Sequence, residues 1–250
     1  MRRLWPDPSP EAGEVEDVAA LVASEERPPG ADRPWLLVNM VASLDGGVTV
    51  DGRSGGLAGA ADKELFGALR QVADIVLAGA GTVRAEDYGP SKASDGIRAL
   101  RRARGQREVP RVAVVSRRLD LDPTARLFSD PDNRPYVITH ASAPADRRAE
   151  LADVAEVLAF GEDEVDLVAA LAHLRSEGAA VITCEGGPTL NGTLIALDLI
   201  DEWALTLSPV LIAGDARRSS RGMVADPRRF QLARLLEGDG ELLGRWVRRR

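Results

Sequence analysis

The chain has 250 residues, of which 44 % are hydrophobic and 28 % charged, a balance typical of a globular protein. Its net charge of −7 argues against a general nucleic-acid binder, and its 4 % of aromatic residues argues against a base-stacking surface. No apolar run approaches the ~18 residues of a membrane span, and the basic N-terminus lacks the apolar segment of a secretory signal. We therefore expect a cytoplasmic protein that binds neither nucleic acid nor membrane.

The cysteine and histidine content limits the metal chemistry. One cysteine excludes an internal disulfide and a cysteine-rich zinc site. His140 and His173 lie far apart without ligand spacing, and we interpret both as structural or surface residues. The sequence therefore predicts no metal site.

The first 34 residues are rich in proline, glutamate and alanine, and they predict an extension that packs on the main body. Within it, Ser9 is the expected N-cap of a short helix and Pro10 its first helical residue. We expect residues 35–250 to form a single domain, because no linker divides them.

Strand and helix patterns alternate from residue 35 onward. Continuous apolar runs of strand length are typical of strands buried on both faces, and i, i+4 spacing is typical of helices. The alternation predicts an α/β protein with a largely parallel sheet. Strands are predicted at 35–42, 74–79, 111–116, 135–139, 154–160, 179–183, 201–212 (bent near Pro209) and 240–249, and helices at 60–72, 165–178 and 189–197.

Ligands of such sheets bind beyond the carboxyl ends of the strands, where glycine-rich turns occur here. In C-E-G-G-P-T-L-N-G, 184–192, Gly186 and Gly187 let the backbone approach a ligand, and Pro188 suits the first helical position. Free amides and the helix dipole at this point favour a phosphate. A turn that merely needs glycine is the other interpretation.

Two further stretches follow strands. L-A-G-A-G-T-V-R-A-E-D, 77–87, is again glycine-rich, and Thr82 could donate its hydroxyl to a phosphate. Two such turns favour a dinucleotide with its pyrophosphate between them, although neither matches G-x-G-x-x-G. The stretch 41–56 places Asp45 directly after an apolar strand, where a carboxylate could orient substrate amino groups or supply a proton. A role in shaping the turn is the alternative.

Four motifs in this order and spacing resemble the reductase family of riboflavin biosynthesis, the RibD C-terminal domain. They are N-M-V-A-S-L-D-G, L-A-G-A-G-T-V-R-A-E-D, C-E-G-G-P-T-L-N-G and S-P-V-L-I-A-G, and the resemblance covers roughly residues 35–250. It implies a fold similar to dihydrofolate reductase, a three-layer α/β sandwich around a mostly parallel sheet. It also implies NADPH as cofactor, a homodimer, and a diaminopyrimidinone ribosylamino 5′-phosphate as the usual substrate.

The resemblance further implies roles for individual residues. Asp45 and Glu185 would face the substrate as catalytic carboxylates, and Arg70 would reach a substrate phosphate. Ser116 and Arg117 would meet the 2′-phosphate of NADPH, which a hydroxyl and a guanidinium suit chemically. The other cofactor contacts would come from Val41, Gly81, Thr82, Val83, Glu86, Gly186, Gly187, Pro188, Thr189, Leu190, Asn191 and Thr193.

The sequence departs from the usual family pattern after the second motif. Where that pattern continues N-P-x-L-T-x-R, this chain reads D-Y-G-P-S-K-A-S, 87–94, so the arginine thought to hold the substrate phosphate is missing. Lys92 is the candidate replacement, but it offers a point charge rather than a bidentate fork. The zinc signature P-C-x-x-C of the deaminase that accompanies many family members cannot be formed with one cysteine.

Three functions stay open at this point. The first is an NADPH-dependent reductase of a pyrimidine or, as a close alternative, of a pterin or folate. The second is a reductase of another small carbonyl or imine, and the third is a non-catalytic NADP(H)-binding sensor. A homodimer is also expected because the long apolar strand 201–212 would be hazardous if left uncovered.

Overall fold

The computed structural model describes residues 1–6, 14–222 and 226–249. Within them, ten strands form one sheet, and no helix is long and apolar enough to cross a membrane. The strands are β1 (Arg2–Trp5), β2 (Trp35–Ser43), β3 (Ile75–Gly79), β4 (Arg111–Val115), β5 (Tyr136–Thr139), β6 (Glu156–Ala159), β7 (Val181–Cys184), β8 (Glu202–Ser208), β9 (Phe230–Gly238) and β10 (Glu241–Arg248). The helices are α1 (Val18–Ser24), α2 (Ala60–Val72), α3 (Ala80–Ala85), α4 (Asp95–Ala103), α5 (Ala145–Ala152), α6 (Leu167–Ser176) and α7 (Pro188–Ala196), with short 3-10 turns at Arg126–Phe128 and Pro131–Asn133.

The strand order is β1-β9-β10-β8-β2-β7-β3-β4-β5-β6, and the seven strands from β8 to β6 run parallel. The central parallel strands are buried along almost their whole length, because helices cover both faces of the sheet. The predicted α/β class with a largely parallel sheet is therefore confirmed.

The other edge of the sheet is antiparallel, which the strand–helix alternation did not predict. β10 pairs with both β8 and β9, and β9 pairs with β1. Asp239 and Gly240 join β9 to β10, with φ values of 53° and 79°. Positive φ at both central residues defines the type I′ turn that Asp-Gly favours in two-residue hairpins.

Three clusters of buried side chains form the core, one on one face of the sheet and two on the other. On one face, α6 and α7 pack against alternate residues of β2, β3 and β7, such as Leu36 and Leu77. On the other face, α1 and α2 pack against the intervening residues of β2, such as Leu37, and α3 and α5 pack against β3 and β4. Helices on both faces of one central sheet give the predicted three-layer sandwich.

The N-terminal segment contributes to the sheet and to the core. β1 forms the outer strand next to β9, and α1 packs on α2. Asp17 is the N-cap of α1, so this helix begins later than predicted; Ser9 and Pro10 lie outside the described residues. Arg27 then forms a buried ion pair with Glu202 of β8 at 2.9 Å.

The strand predicted at 201–212 is shorter and lies in a different environment. β8 ends at Ser208, before Pro209, and β2 and β10 occupy its two edges. The backbone N–H and C=O groups of β8 are therefore paired with neighbouring strands of the same chain. The hairpin of β9 and β10 covers this strand within the chain, so the strand itself gives no support to the expected homodimer.

Candidate active site

A cleft with a volume of about 370 Å³ opens where β2, β3 and β7 end. All three glycine-rich stretches contribute to its walls, as does one side of α2. This is the ligand-binding edge expected for parallel sheets. Its lining residues are Asn39, Met40, Val41, Val48, Thr49, Ser54, Asp62, Phe66, Arg70, Thr82, Glu86, Asp87, Tyr88, Gly89, Glu185, Gly187 and Pro188.

The two turns predicted to hold a dinucleotide contact each other. The amide of Gly79 donates to the carbonyl of Gly186 at 2.8 Å. Gly186 has a φ of +87°, and the peptide bond that follows it is cis. A Cβ on Gly187 would lie 2.6 Å from Oγ1 of Thr82, so any larger residue here would displace the Thr82 hydroxyl from this close approach.

The N-terminus of α7 faces the same cleft through Gly187 and Pro188. Gly187 is the N-cap and supplies no capping side chain. The amides of Thr189 and Leu190 lie in the first turn and therefore have no partner within the helix. Uncapped amides at the positive end of a helix form an anion-binding position, so this turn suits a phosphate.

The later residues of α7 lie outside the cleft lining. Asn191 is fully buried, and its Nδ2 donates to the carbonyl of Ser219 at 2.8 Å. Oγ1 of Thr193 donates to the carbonyl of Thr189 at 3.2 Å. Cys184 is buried behind them, and burial raises the pKa of its thiol to about 12.

Glu185 forms the most constrained charged contact in the cleft. Arg70 of α2 holds it in a bidentate pair, with Nε 2.6 Å from Oε1 and Nη2 2.7 Å from Oε2. The hydroxyl of Tyr88 donates to Oε2 at 2.5 Å. The side chain of Glu185 is only 4 % exposed. Three donors therefore fix the carboxylate of a buried acid at the wall of the cleft.

The partners of Glu185 are tuned by this arrangement. Burial disfavours the charged guanidinium of Arg70, but the hydrogen bond and the charge of Glu185 outweigh this and raise the Arg70 pKa. Burial, followed by the charge of Glu185, raises the pKa of Tyr88 well above its usual value. The guanidinium also lies over the ring of Phe66, at 4.4 Å from its centroid. The cluster therefore holds a charged arginine beside a protonated tyrosine.

Two buried polar side chains that the sequence analysis missed also line the cleft. Asn39 interrupts the apolar strand β2, and its Oδ1 has no hydrogen-bond partner among the described residues. Asp62 of α2 is buried, and this burial raises the pKa of its carboxyl group. A polar residue within W-L-L-V-N-M-V-A was the signal that could have identified Asn39, because such residues are costly unless they have a partner.

The remaining predicted cofactor contacts divide into two groups. Val41 and Thr82 line the cleft, as does Glu86, whose Oε1 accepts from the amide of Ser54 at 2.7 Å. Val83 packs in the core, and Gly81 is exposed on the outer side of its turn. The structure therefore brings only part of this turn to the cleft.

Asp45 lies outside the cleft lining, on the turn after β2. Its carboxylate accepts from the hydroxyl of Ser43 at 2.5 Å and from the amide of Ala213 at 2.7 Å. These bonds, that of Ser43 first, lower the pKa of the exposed Asp45 side chain. The acid connects the turn after β2 to the loop after β8, and its catalytic role stays a prediction.

Ser116 and Arg117 follow β4, two strands away from β7 in the sheet order. Ser116 is buried, and Nη1 of Arg117 pairs with Glu164 at 2.6 Å. Both partners of this pair are more than half exposed, so the pair is weak and can open towards another anion. Neither residue lines the cleft.

The fold is similar to that of dihydrofolate reductase. A crystal structure of a pyrimidine reductase-like protein from Corynebacterium diphtheriae has a TM-score of 0.83 and 26 % identity, covering 93 % of this chain and 99 % of that one. Dihydrofolate reductase from Enterococcus faecalis, complexed with NADP(H), shares the fold at a TM-score of 0.50 and 11 % identity, covering 86 % of this chain and 97 % of that one.

Residues 34–243 match the RibD C-terminal domain, and the chain belongs to this family. The 2,5-diamino-6-ribosylamino-4(3H)-pyrimidinone 5′-phosphate reductase of Archaeoglobus fulgidus is 34 % identical over 73 % of this chain and 83 % of its own length. The protein of the same name from Methanothermobacter thermautotrophicus is 33 % identical over 81 % of this chain and 92 % of its own. The resemblance inferred from the four motifs is thus confirmed.

Proposed function

We propose that the protein is an NADPH-dependent reductase of a diaminopyrimidinone that carries a ribosylamino 5′-phosphate. The observation that carries this proposal is the cleft itself. The cleft combines the contacting turns at Gly79 and Gly187, which we call the glycine cradle, with the uncapped N-terminus of α7. It also contains the buried carboxylate of Glu185, which Arg70 and Tyr88 hold in place. The two relatives described above, named for this substrate, support the same choice.

The glycine cradle fits a dinucleotide. Gly187 leaves space beside Thr82 that a Cβ would fill, and the first-turn amides of α7 can donate to a pyrophosphate. When bound, the reduced nicotinamide supplies a hydride to the substrate carbon. The chain's part is to hold the pyrophosphate at the cradle and to keep the reacting atoms about 3–3.5 Å apart.

The carboxylate of Glu185 fits the amino groups of the substrate. It is an acceptor for N–H donors, and Arg70 and Tyr88 fix its position. The unpartnered Oδ1 of Asn39 is a second acceptor on the same cleft. We propose that these two side chains orient the diaminopyrimidinone ring.

A pterin or folate is the second candidate substrate. It is favoured by the missing arginine of the N-P-x-L-T-x-R pattern and by the fold shared with dihydrofolate reductase. Both ring systems present amino groups to a carboxylate, so Glu185 serves either. Only the phosphate distinguishes them clearly.

The test is NADPH oxidation with a panel of both substrate classes. We expect turnover with the ribosylamino pyrimidinone 5′-phosphate and much slower turnover with dihydrofolate. Turnover of dihydrofolate alone would support the second candidate. Stoichiometric NADPH binding without turnover of any member would contradict a reductase and leave the sensor.

NADPH rather than NADH is proposed as the cofactor, on the basis of Ser116 and Arg117. Because the exposed pair of Arg117 with Glu164 is weak, the guanidinium can turn to a 2′-phosphate. We expect Arg117→Ala to weaken NADPH binding about tenfold or more, as for loss of a charge-assisted hydrogen bond, and to leave NADH unchanged. Calorimetry with both cofactors measures this, and equal weakening of the two would refute it.

A cytoplasmic homodimer also stays a proposal. Its support is now a patch of exposed apolar residues, Leu44 and Leu211, 60 % and 73 % exposed, on the adjacent turns after β2 and β8. Such side chains favour an interface. Light scattering should give a dimer for the wild type and a monomer for Leu44→Glu with Leu211→Glu; a wild-type monomer at micromolar concentration would refute it.

A further inference from the structure

A second pocket adjoins the cleft and shares Phe66 and Arg70 with it. It has a volume of about 250 Å³ and lies between α2 and α4, with residues 91–93 on its wall; we call it the α2–α4 pocket. Three cationic side chains line it, those of Arg70, Lys92 and Arg101, and none of the described residues that line it is acidic. In a chain with a net charge of −7 this is a local concentration of positive charge.

Arg101 is buried in this wall, at 1 % exposure. Its Nε donates to the carbonyl of Arg107, and its Nη1 donates to carbonyls at the end of α2, including that of Ala73 at 2.8 Å. Its Nη2 has no partner among the described residues, and burial lowers the Arg101 pKa. A buried cation without a paired carboxylate is disfavoured, so an anion nearby would stabilise it.

Two neighbours complete a donor set. Oγ of Ser91 is buried and has no hydrogen-bond partner among the described residues. Lys92 is exposed and forms no ion pair within the part of the chain that the structure describes. A hydroxyl, an ammonium and a guanidinium are the donors that phosphate oxygens accept from.

We propose that the α2–α4 pocket is an anion subsite that binds the phosphate ester of the substrate through Ser91, Lys92 and Arg101. The identity of that ester rests on the proposed function. Arg70 lies between the cleft and the α2–α4 pocket, and its Nε and Nη2 donate to Glu185 on the cleft side. In this arrangement Glu185 holds the substrate ring, and the α2–α4 pocket holds the substrate phosphate. The pocket thereby replaces the arginine of the family pattern that this chain lacks.

The chain's lysine content makes a direct binding test possible. Lys63 and Lys92 are its only lysines, so reductive methylation with ¹³C-formaldehyde gives one dimethylamine NMR signal for each, plus one for the N-terminus. Titration with ribose 5-phosphate should shift the Lys92 signal and leave Lys63, exposed on α2, unchanged. Lys92→Gln assigns the signals, and ribose without phosphate is the matched ligand. If the chemical shift of the Lys92 signal does not change with ribose 5-phosphate, or changes equally with ribose, the proposed subsite is wrong.

A kinetic comparison separates this subsite from the proposed function. Lys92→Gln should raise KM for the phosphorylated substrate about tenfold, as for loss of one charge-assisted bond, with kcat and the KM of its dephosphorylated form unchanged. Lys63→Gln is the control and should change neither. If Lys92 responds to ribose 5-phosphate but no pyrimidine is reduced, the proposed function fails and the subsite stands. If the phosphorylated pyrimidine is reduced without a Lys92 response or a KM effect, the subsite alone fails.

Discussion

Asp45 and Glu185 are both acids that follow a buried strand, yet their surroundings differ. Asp45 is exposed and its carboxylate accepts from Ser43 and from the backbone of the loop after β8. Glu185 is buried at the cleft and its carboxylate accepts from the side chains of Arg70 and Tyr88. The same sequence signal thus gives a connection between loops in one place and a preorganised charge in a cleft in the other. What differs is that α2 and the segment after α3 place side-chain donors over the end of β7.

Glu185→Gln should show the largest effect. The substitution keeps the size of the side chain but removes the negative charge that accepts from substrate amino groups. We expect kcat/KM to fall by about 10²–10⁴-fold, the range of a positioned acid or base. Steady-state kinetics with the phosphorylated pyrimidine measures the loss.

NADPH affinity is the internal control for this variant. The contact of Gly187 with Thr82 and the amides of α7 are untouched, so calorimetry should give a dissociation constant close to that of the wild type. A variant that folds, binds NADPH and turns over at the wild-type rate would show that Glu185 is not the substrate acid.

Tyr88→Phe should show a smaller effect, because it removes one of three donors to Glu185 and leaves the bidentate Arg70 in place. Loss of one hydrogen bond to a charged group corresponds to about a tenfold fall in kcat/KM. Tyr136→Phe is the matched control, because Tyr136 is the only other tyrosine and lies buried in β5. An equal loss in both variants would assign the effect to packing.

The Tyr136→Phe variant also tests the raised pKa of Tyr88. In Tyr136→Phe the only tyrosine is Tyr88, so tyrosinate absorbance against pH reports it alone. A folded-state pKa above the ordinary value favours the protonated form, so stability is fully present below the unfolded pKa of ~10. Stability should decrease as pH rises above ~10 towards the folded pKa, and ionisation below the ordinary value would contradict the contact with Glu185.

The parallel half of the fold could be predicted from sequence, because most of its strands, such as β2, β3 and β4, are largely apolar runs of strand length, as expected for strands buried on both faces. At the antiparallel edge, β10 was predicted as a strand at 240–249, but β9 was missed, because it mixes polar with apolar residues, as in F-Q-L-A-R-L-L-E-G, where only part of the strand is covered. The glycine-rich turns also predicted the position of the cleft, because a turn of this kind is recognised from a few consecutive residues. Asp62 and Tyr88 could not be found this way, because their positions depend on how α2 and the segment after α3 pack, which is a tertiary property.

Asp45→Asn should have the smallest effect. An amide oxygen can still accept from Ser43 and from the amide of Ala213, so the two loops should stay connected. We expect kcat/KM to stay within about threefold of the wild-type value, as for most exposed substitutions. Asp45→Ala removes the acceptor altogether, and hydrogen exchange of amides 210–214 should then accelerate while NADPH affinity is kept.

The pH dependence of that loop distinguishes connection from catalysis. The hydroxyl of Ser43 and the amide of Ala213 lower the pKa of Asp45. A carboxyl group with a depressed folded pKa contributes stability above its unfolded pKa of ~3.9, and this is lost as pH falls through the folded value. The protection factors of amides 210–214, which remove the intrinsic pH dependence of exchange, should therefore fall below about pH 4 in the wild type and stay unchanged in Asp45→Asn. A loss of tenfold or more in kcat/KM for Asp45→Asn, with normal loop exchange, would instead support the substrate-facing role that the sequence predicts.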